Sequence, residues 1–462
     1  MSSRTLGIGA AMVLAASAVL DTVSPRTLPQ VGAPTRSVSS GVLGCPWARG
    51  SDGSGSVYVA NLGDAPADVR VTTVPLRGSP AISALRLAAG SVASVRVGGR
   101  RPIPSGAIVE YAGSEIVASH SVITPAGVAT ATCASPGGDV AVPGLRTRDA
   151  ESTLTILNPG AARAEVSVTL LSDGRRLAPI RLSGFEVPPR GRRRFLLGDF
   201  AFAARDLVAL VHAVSGRVVA EGLIAPVSGR GLDLIGSVVP STAGVAISGA
   251  SGPGAVFSAA AVGEDDSGID ARLITPGGAR AFPGMATSVG GGETKSARIV
   301  GPPGPSAIAL DVSVGSPVAV ATKWGLTAGR GYDEAGLEGV GLAQRWGGVA
   351  ATAVARSTLY IVVANPGADP ATLHIRLLNG STADVVLGGG RSTRRVLTRT
   401  AGIFGFEVSS DVGVAVAVVG ASVGAVVPTV RVFGLAATPL ELFPTIDVAV
   451  EDRPAFPAPG LP

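Results

Sequence analysis

Residues 152–174 read STLTILNPGAARAEVSVTLLSDG. In the second half of this stretch Val166, Val168 and Leu170 are separated by single polar residues. An apolar period of two predicts a β-strand with one face on a core, whereas a helix needs apolar residues three and four positions apart. The Asn-Pro-Gly at Asn158 predicts the turn before this strand. The stretch is therefore predicted to be a β-hairpin.

The same pattern occurs four times along the chain. Matching segments begin at Ser56, at Ser357 and, in degenerate form, at Ala255. Two further strand-and-turn elements follow each hairpin, so each unit of about 100 residues holds six or seven short strands. That pattern is typical of an immunoglobulin-like β-sandwich. A propeller blade, at about 40–45 residues, is too short to fit.

Composition supports an all-β fold. The chain of 462 residues has 64 glycines and 34 prolines, with 46% hydrophobic and 15% charged residues. Glycine and proline disfavour helix interiors, which excludes a helical bundle. The low charge and high apolar content exclude a disordered chain. The sequence therefore predicts tandem immunoglobulin-like β-sandwich repeats.

The N-terminus resembles an export signal. Arg4 precedes an uncharged run over residues 6–20, which is short for the ~20 residues that span a bilayer. A cleaved signal peptide and an uncleaved membrane anchor both stay open. We expect an extracytoplasmic protein, either secreted or held at the cytoplasmic membrane by this segment.

The predicted organisation follows from these boundaries. It comprises a signal peptide or membrane anchor at 1–20, a linker at 21–43, β-sandwich units at 44–132, 133–244, 245–345 (degenerate) and 346–440, and a Pro-rich tail at 441–462.

The two cysteines, Cys45 and Cys133, are disulfide candidates. An even pair in an exported chain favours a bridge, and two buried thiols are the alternative.

Arginine-rich runs are the most informative surface feature. They recur at matching positions in three units and comprise Arg190, Arg192, Arg193, Arg194, Lys295, Arg298, Arg391, Arg394 and Arg395. A repeated basic stripe would suit an anionic envelope polymer or phospholipid headgroups. The alternative is that exposed strands need soluble residues and charged ones block edge pairing. The net charge of +5 and 4% aromatic content argue against nucleic-acid binding.

No catalytic, metal or cofactor site is predicted. The three histidines, His120, His212 and His374, lack metal-ligand spacing. The Gly-x-Ser-x-Gly at residues 420–424 has no later histidine to complete a triad. The acidic run Glu264–Asp266 lacks the order of an EF-hand loop and is interpreted as a solvated turn.

Several motifs together resemble a known family. Cys45-Pro-Trp, Cys133, Leu157-Asn-Pro-Gly and Val187-Pro-Pro are similar to those of uncharacterised exported proteins of high-GC Gram-positive bacteria. These carry one domain of unknown function, and the resemblance spans residues 44–440. It implies an N-terminal export or anchor segment, paired cysteines and genes near envelope glycosyltransferases. The third unit departs from it, with Gly263-Glu-Asp-Asp-Ser-Gly in place of Asn-Pro-Gly.

We therefore expect a non-enzymatic cell-envelope protein that binds or scaffolds envelope components. Its expected partner is an anionic envelope polymer or a membrane protein of the envelope machinery, with no nucleic acid. The alternative is a carboxylate-based glycan hydrolase or an accessory subunit of an envelope glycosyltransferase.

Overall fold

The computed structural model describes residues 40–440, apart from residues 50–53, 98–102, 125–126, 173, 229–230, 251–254, 283–284, 286–287, 301–304, 329–330, 353–356 and 424–429. The predicted signal or anchor, the linker up to residue 39 and the tail at 441–462 lie outside the described residues. Ser40–Leu43 were predicted as linker, but they already belong to the first strand. None of the described residues forms a helix long and apolar enough to cross a membrane.

The described chain is nearly all β-strand, as predicted. Its only helical segments are two short 3-10 turns at Ile180–Leu182 and Leu197–Asp199. The two strands predicted over residues 152–174 are confirmed, as Ala150–Asn158 and Ala164–Ser172, but the predicted hairpin is wrong. The two strands do not pair with each other and belong to different sheets, because the Asn-Pro-Gly turn carries the chain from one sheet to the other. Val166, Val168 and Leu170 are buried, so the period of two does mark a face on a core.

Four successive groups of strands, here called repeats 1 to 4, make up the described chain. Repeat 1 contains β1 Ser40–Arg49, β2 Ser54–Asn61, β3 Ala67–Pro75, β4 Ala81–Leu87, β5 Val92–Val97, β6 Ser105–Ala112, β7 Ile116–Ile123 and β8 Val128–Thr132. Repeat 2 contains β9 Asp139–Leu145, β10 Ala150–Asn158, β11 Ala164–Ser172, β12 Arg175–Leu177, β13 Phe185–Val187, β14 Gly191–Leu196, β15 Leu207–Ser215, β16 Val219–Pro226 and β17 Asp233–Gly236.

Repeat 3 contains β18 Ala243–Ser248, β19 Val256–Ala261, β20 Ser267–Thr275, β21 Gly278–Ala281, β22 Ser288–Val289, β23 Thr294–Arg298, β24 Ser306–Val314, β25 Val318–Ala328 and β26 Gly331–Glu338. Repeat 4 contains β27 Ala343–Thr352, β28 Ser357–Asn365, β29 Ala371–Leu377, β30 Thr382–Leu387, β31 Arg391–Thr398, β32 Gly402–Val423, β33 Val430–Ala436 and β34 Thr438–Pro439.

All four repeats share one strand order. In repeat 1 the sheet β1-β6-β3-β4 faces the sheet β5-β2-β7-β8. Repeats 2 and 3 follow the same order with a divided fourth strand, and in repeat 4 the long β32 serves both sheets in turn. Immunoglobulin constant domains keep their first two strands in one sheet, whereas here these strands lie in opposite sheets. The two-sheet sandwich is therefore established, and the immunoglobulin-like assignment is not confirmed.

The four repeats close into a ring around one strand from each repeat, namely β8, β17, β26 and β33. β8 contacts β17, β17 contacts β26, β26 contacts β33, and β33 contacts β8 again. The described residues between 40 and 440 accordingly form one compact unit rather than a string of separate bodies. The predicted boundaries between sandwich units remain predictions.

Contacts between repeats 1 and 4 complete the ring. Leu62 and Val117 share a buried apolar cluster with Val349 and Leu440. The Ser119 hydroxyl donates to the carbonyl of Val349 at 2.5 Å. These two repeats are farthest apart in sequence, so their packing defines the closed arrangement.

The Asn-x-Gly motif has a structural role that explains its recurrence. The Asn158 side-chain amide donates to the carbonyls of Ala162, Val187 and Pro188 at 2.7–3.2 Å, and its Oδ1 accepts from Gly160 N at 2.9 Å. Asn61 and Asn365 make the same four contacts in repeats 1 and 4. Each asparagine thereby ties the turn between the second and third strands to the turn before the fifth strand.

Repeat 3 replaces this arrangement. Ala261 stands where the asparagine would be, since it pairs with Val318 as Asn61 pairs with Ile116, and the Asp266 carboxylate accepts from Gly291 N at 3.0 Å. The acidic run predicted as a solvated turn therefore also links the two turns of repeat 3.

Replacing Asn158 with alanine is expected to lower the free energy of unfolding by about 2 kcal/mol, because buried carbonyls lose their donor. Asn379→Ala is the matched control, since Asn379 is exposed and makes a single turn contact to Ser381 N. Urea unfolding of both variants checks this prediction. Equal midpoints for the two would contradict the role of the motif.

Candidate functional site

The predicted basic stripe is divided among three sheets. Its members lie on or just before β14, β23 and β31, which are the fifth strands of repeats 2, 3 and 4 and belong to different sheets. β14 and β23 are edge strands of their sheets, and β31 pairs with β20 at the junction of repeats 3 and 4. The stripe is therefore a set of separate positions along the chain.

Two of its members are structural contacts between repeats 1 and 2. Arg190 makes a bidentate pair with Glu110 of β6, at 2.8 and 2.9 Å. Arg192 is 6% exposed and donates to the carbonyls of Pro46 and Pro104. Burial, and next the neighbouring Arg194, lowers the pKa of Arg192 to about 10. The expectation that Arg192 lies on an exposed stripe is thus corrected.

Backbone conformation supports this role for Arg190. Its φ is +48°, and the equivalent positions in the other repeats are Gly90, Gly292 and Gly390 with φ of +63°, +72° and +64°. A left-handed conformation costs a non-glycine residue roughly 1 kcal/mol. The ion pair with Glu110 gives a reason for an arginine at this strained position.

The remaining basic residues are exposed or half-buried. Arg193, Arg194, Arg298, Arg391, Arg394 and Arg395 are exposed, and Lys295 donates to the carbonyl of Ser288 at 2.8 Å. The Arg394 guanidinium lies 5.3 Å from the centre of the Tyr360 ring. Anion binding by these residues stays a prediction.

The predicted disulfide between Cys45 and Cys133 is confirmed. It joins β1 to the residue after β8, and both sulfurs are fully buried in the core of repeat 1. His120 of β7 lies beside it, with Nδ1 3.5 Å from the Cys133 Sγ. The ligating atoms of these three residues lie within 4.8 Å of one another. A metal would need the cysteines as thiolates, and here they are bonded to each other.

A buried cluster of ionisable side chains extends from His120 into repeats 2 and 3. The His120 Nε2 lies 3.0 Å from Oε1 of Glu221, which belongs to β16 of repeat 2. The other carboxylate oxygen of Glu221 accepts from Trp47 N at 2.9 Å. Both ionisable side chains are at most 2% exposed. This pair therefore joins repeats 1 and 2 through atoms withdrawn from water.

Glu338 brings repeat 3 into the same cluster. It ends β26, and its Oε2 accepts from Gly236 N at 3.1 Å, while Gly236 itself pairs with Glu221 across the sheet. Burial raises the pKa of Glu338; the charge of Glu221 raises it further, and His120 opposes this. Two carboxyl groups and one imidazole thus meet where three repeats join.

This geometry predicts a pH dependence of stability. A carboxyl whose pKa is higher in the folded state contributes stability at low pH, and that contribution is lost as pH rises from its ordinary value of 4.5 through the raised value. The Glu338→Gln variant should lack this loss, which amounts to at most about 1.4 kcal/mol per pH unit. Urea unfolding at several pH values compares the two slopes. Parallel pH profiles for wild type and variant would contradict the assignment.

The other candidates from the sequence are in ordinary strand positions. His212 pairs with Asp139 at 2.5 Å and His374 with Asp384 at 2.7 Å, both on the surface. Residues 420–423 of the Gly-x-Ser-x-Gly motif lie inside the long strand β32, not at a strand-to-helix turn.

Sequence reasoning missed Glu110, Glu221 and Glu338. The available signal was weak: Glu221 interrupts the apolar run Val219–Ile224, and a lone carboxylate in such a run indicates a buried, paired acid. Nothing in the sequence indicates that His120 is its partner, because 101 positions separate them.

Comparisons with known proteins are limited. Residues 112–336 match the model of a family of unknown function (DUF5719). This segment contains His120, Cys133 and Glu221 of the buried cluster. A search of curated proteins found no match. Among solved structures, an anti-sigma factor domain-containing protein aligns over 79% of this chain and 95% of its own, at 10% identity and a TM-score of 0.14. A likeness this low carries no argument about fold or function.

Proposed function

We propose that this chain is a non-enzymatic extracytoplasmic protein of the cell envelope that binds or scaffolds envelope components. The observation that carries the proposal is the fully buried Cys45–Cys133 disulfide. Disulfides of this kind form and persist in oxidising compartments outside the cytoplasm. The apolar run at residues 6–20 supports export. The resemblance to exported proteins of high-GC Gram-positive bacteria points to the same location.

The state of the cysteines tests the location. Cells are fractionated, and the chain is denatured without reductant in the presence of an alkylating reagent. We expect the chain in the envelope or secreted fraction, with no thiol modified until a reductant is added. A cytoplasmic chain with two modified thiols would contradict the proposal.

Anionic envelope polymers are the proposed ligand class. The exposed arginines of β14 and β31 present guanidinium groups to solvent, and such groups bind phosphate and carboxylate well. Arg190 and Arg192 are left out of this set, because they hold repeats 1 and 2 together.

Retention of the unit of residues 39–462 on isolated envelope polysaccharide tests the ligand class. We expect binding that weakens with salt and is lost when Arg193, Arg194, Arg394 and Arg395 are changed to serine. The matched control changes four other exposed arginines to serine: Arg86, Arg163, Arg217 and Arg280. Absence of retention at low salt, or equal loss in both variants, would contradict specific binding through β14 and β31.

A further inference from the structure

Two large apolar side chains of repeat 2 project into solvent. Among the described residues Phe202, at 93% exposed, and Ile180, at 91%, are the most exposed large hydrophobic side chains. Neither contributes to a core, so folding gives no reason for a phenylalanine or an isoleucine at these positions. Exposed large apolar groups that cluster are a mark of interaction sites.

The loop that carries Phe202 is firmly held. Ala201 and Ala204, on either side of it, are buried in the core of repeat 2. Thr147 fixes the loop from the adjacent turn, because its hydroxyl accepts from Ala204 N at 2.9 Å and its N donates to the Ala204 carbonyl at 2.9 Å. Phe202 is therefore presented by an ordered loop.

The tip of this loop has an unfavourable backbone conformation. Ala203 has a φ of +55°, in the left-handed region, which costs a non-glycine residue roughly 1 kcal/mol. Glycine would remove that cost. The fold therefore keeps an unfavourable backbone conformation at Ala203, next to Phe202. Such conformations are common at functional sites.

The turn that carries Ile180 contacts the segment just before this loop through Arg181 and Phe200. Ile180 begins the 3-10 turn Ile180–Leu182, and the guanidinium of the next residue, Arg181, lies 5.8 Å from the centre of the Phe200 ring. The described residues of the other three repeats contain no 3-10 turn. Residues 174–206 of the chain contain eight arginines and three acidic residues, and six arginines remain once Arg190 and Arg192, which contact repeat 1, are set aside. They also hold four of its 11 phenylalanines.

We propose that the Phe202 loop and the Ile180 turn dock repeat 2 onto the surface of an anionic phospholipid bilayer. Projecting apolar side chains would enter the boundary between headgroups and acyl chains, and nearby exposed arginines such as Arg181 would contact lipid phosphates. The two side chains protrude and do not line a groove, which suits a fluid surface. The charge of the segment favours anionic lipid. This inference rests on the extracytoplasmic location proposed above.

Vesicle binding by the unit of residues 39–462, which lacks the N-terminal apolar run, tests the proposal. The probes are vesicles of phosphatidylcholine alone and of an equal mixture with phosphatidylglycerol. We expect sedimentation with the mixed vesicles, and a roughly tenfold weaker affinity for each of Phe202→Ser and Ile180→Ser. Val386→Ser is the matched control, because Val386 is 74% exposed on repeat 4. It should bind as wild type does.

Absence of binding to the mixed vesicles at low salt would overturn the proposal, as would equal affinity of wild type and Phe202→Ser. If Phe202→Ser keeps vesicle binding but loses a co-purifying protein, the surface binds a protein and the lipid proposal is wrong. Phe202→Ser should be retained on envelope polysaccharide as wild type is. The vesicle experiment and the polysaccharide experiment can therefore fail independently of each other.

Discussion

Replacing both Cys45 and Cys133 with alanine is expected to lower the free energy of unfolding by about 4–5 kcal/mol. The bridge closes a loop with a sequence separation of 88, and a loop of that length restricts the unfolded chain strongly. Both sulfurs lie in the core of repeat 1. Cys45 belongs to the first strand of that repeat, and Cys133 directly follows its last strand. The loss should therefore appear first as unfolding of repeat 1. Urea unfolding of the variant and of the oxidised wild type measures it.

Reduction of the wild-type protein provides the control. Because both sulfurs are fully buried, dithiothreitol should leave the native bridge intact and open it only in urea. Alkylation before and after denaturation counts the thiols. A double variant within 1 kcal/mol of wild type, or a bridge reduced under native conditions, would contradict the structural role of the disulfide.

Glu221→Ala is expected to lower the free energy of unfolding by about 3–5 kcal/mol. Removing one partner of a buried pair leaves the remaining polar groups uncompensated in the protein interior, which solvates them poorly. Here those groups are the His120 ring, 3.0 Å away, and the backbone N–H of Trp47. The damage should spread across the junction of repeats 1 and 2, because the two partners of Glu221 belong to repeat 1.

Two further variants test whether stability depends on the Glu221–His120 pair itself or on any change at the buried cluster. Glu221→Gln keeps an acceptor for Trp47 N and should cost less than Glu221→Ala. Glu338→Gln alters the same cluster. Because burial favours the neutral form of the Glu338 carboxyl, replacing it with a neutral amide should lower the free energy of unfolding only slightly near neutral pH. If Glu338→Gln destabilises as much as Glu221→Ala, the pair with His120 is not the dominant contact.

The sequence was sufficient for the strands and turns but not for their pairing, since the strands on either side of the Asn158 turn belong to different sheets. Alternation at Val166, Val168 and Leu170 predicted a strand, and the spacing of Asn61, Asn158 and Asn365 predicted the repeat. Both signals are local, because strand burial follows a period of two and a turn depends on a few adjacent residues. The disulfide was also predictable from the even number of cysteines in a chain with a predicted export signal.

The arrangement of the repeats and the role of each arginine were not predictable in this way. Arg192 and Arg194 both lie 5.8 Å from the Trp47 ring and share a face of β14. Only Arg192 is buried, because Pro46 and Pro104 of repeat 1 cover it. Strand alternation specifies the face of a side chain, but the neighbouring repeat decides which part of that face stays in water. Ring closure depends on the same long-range surfaces.

Small-angle X-ray scattering of residues 39–462 tests the central claim, that the four repeats close into a ring through contacts between the first and the fourth. A compact chain of this length has a radius of gyration of about 22 Å. We expect a value close to this. Four 100-residue sandwiches in an open line, each with a radius of gyration of about 13 Å, would give about 40 Å. That result would contradict the closed ring.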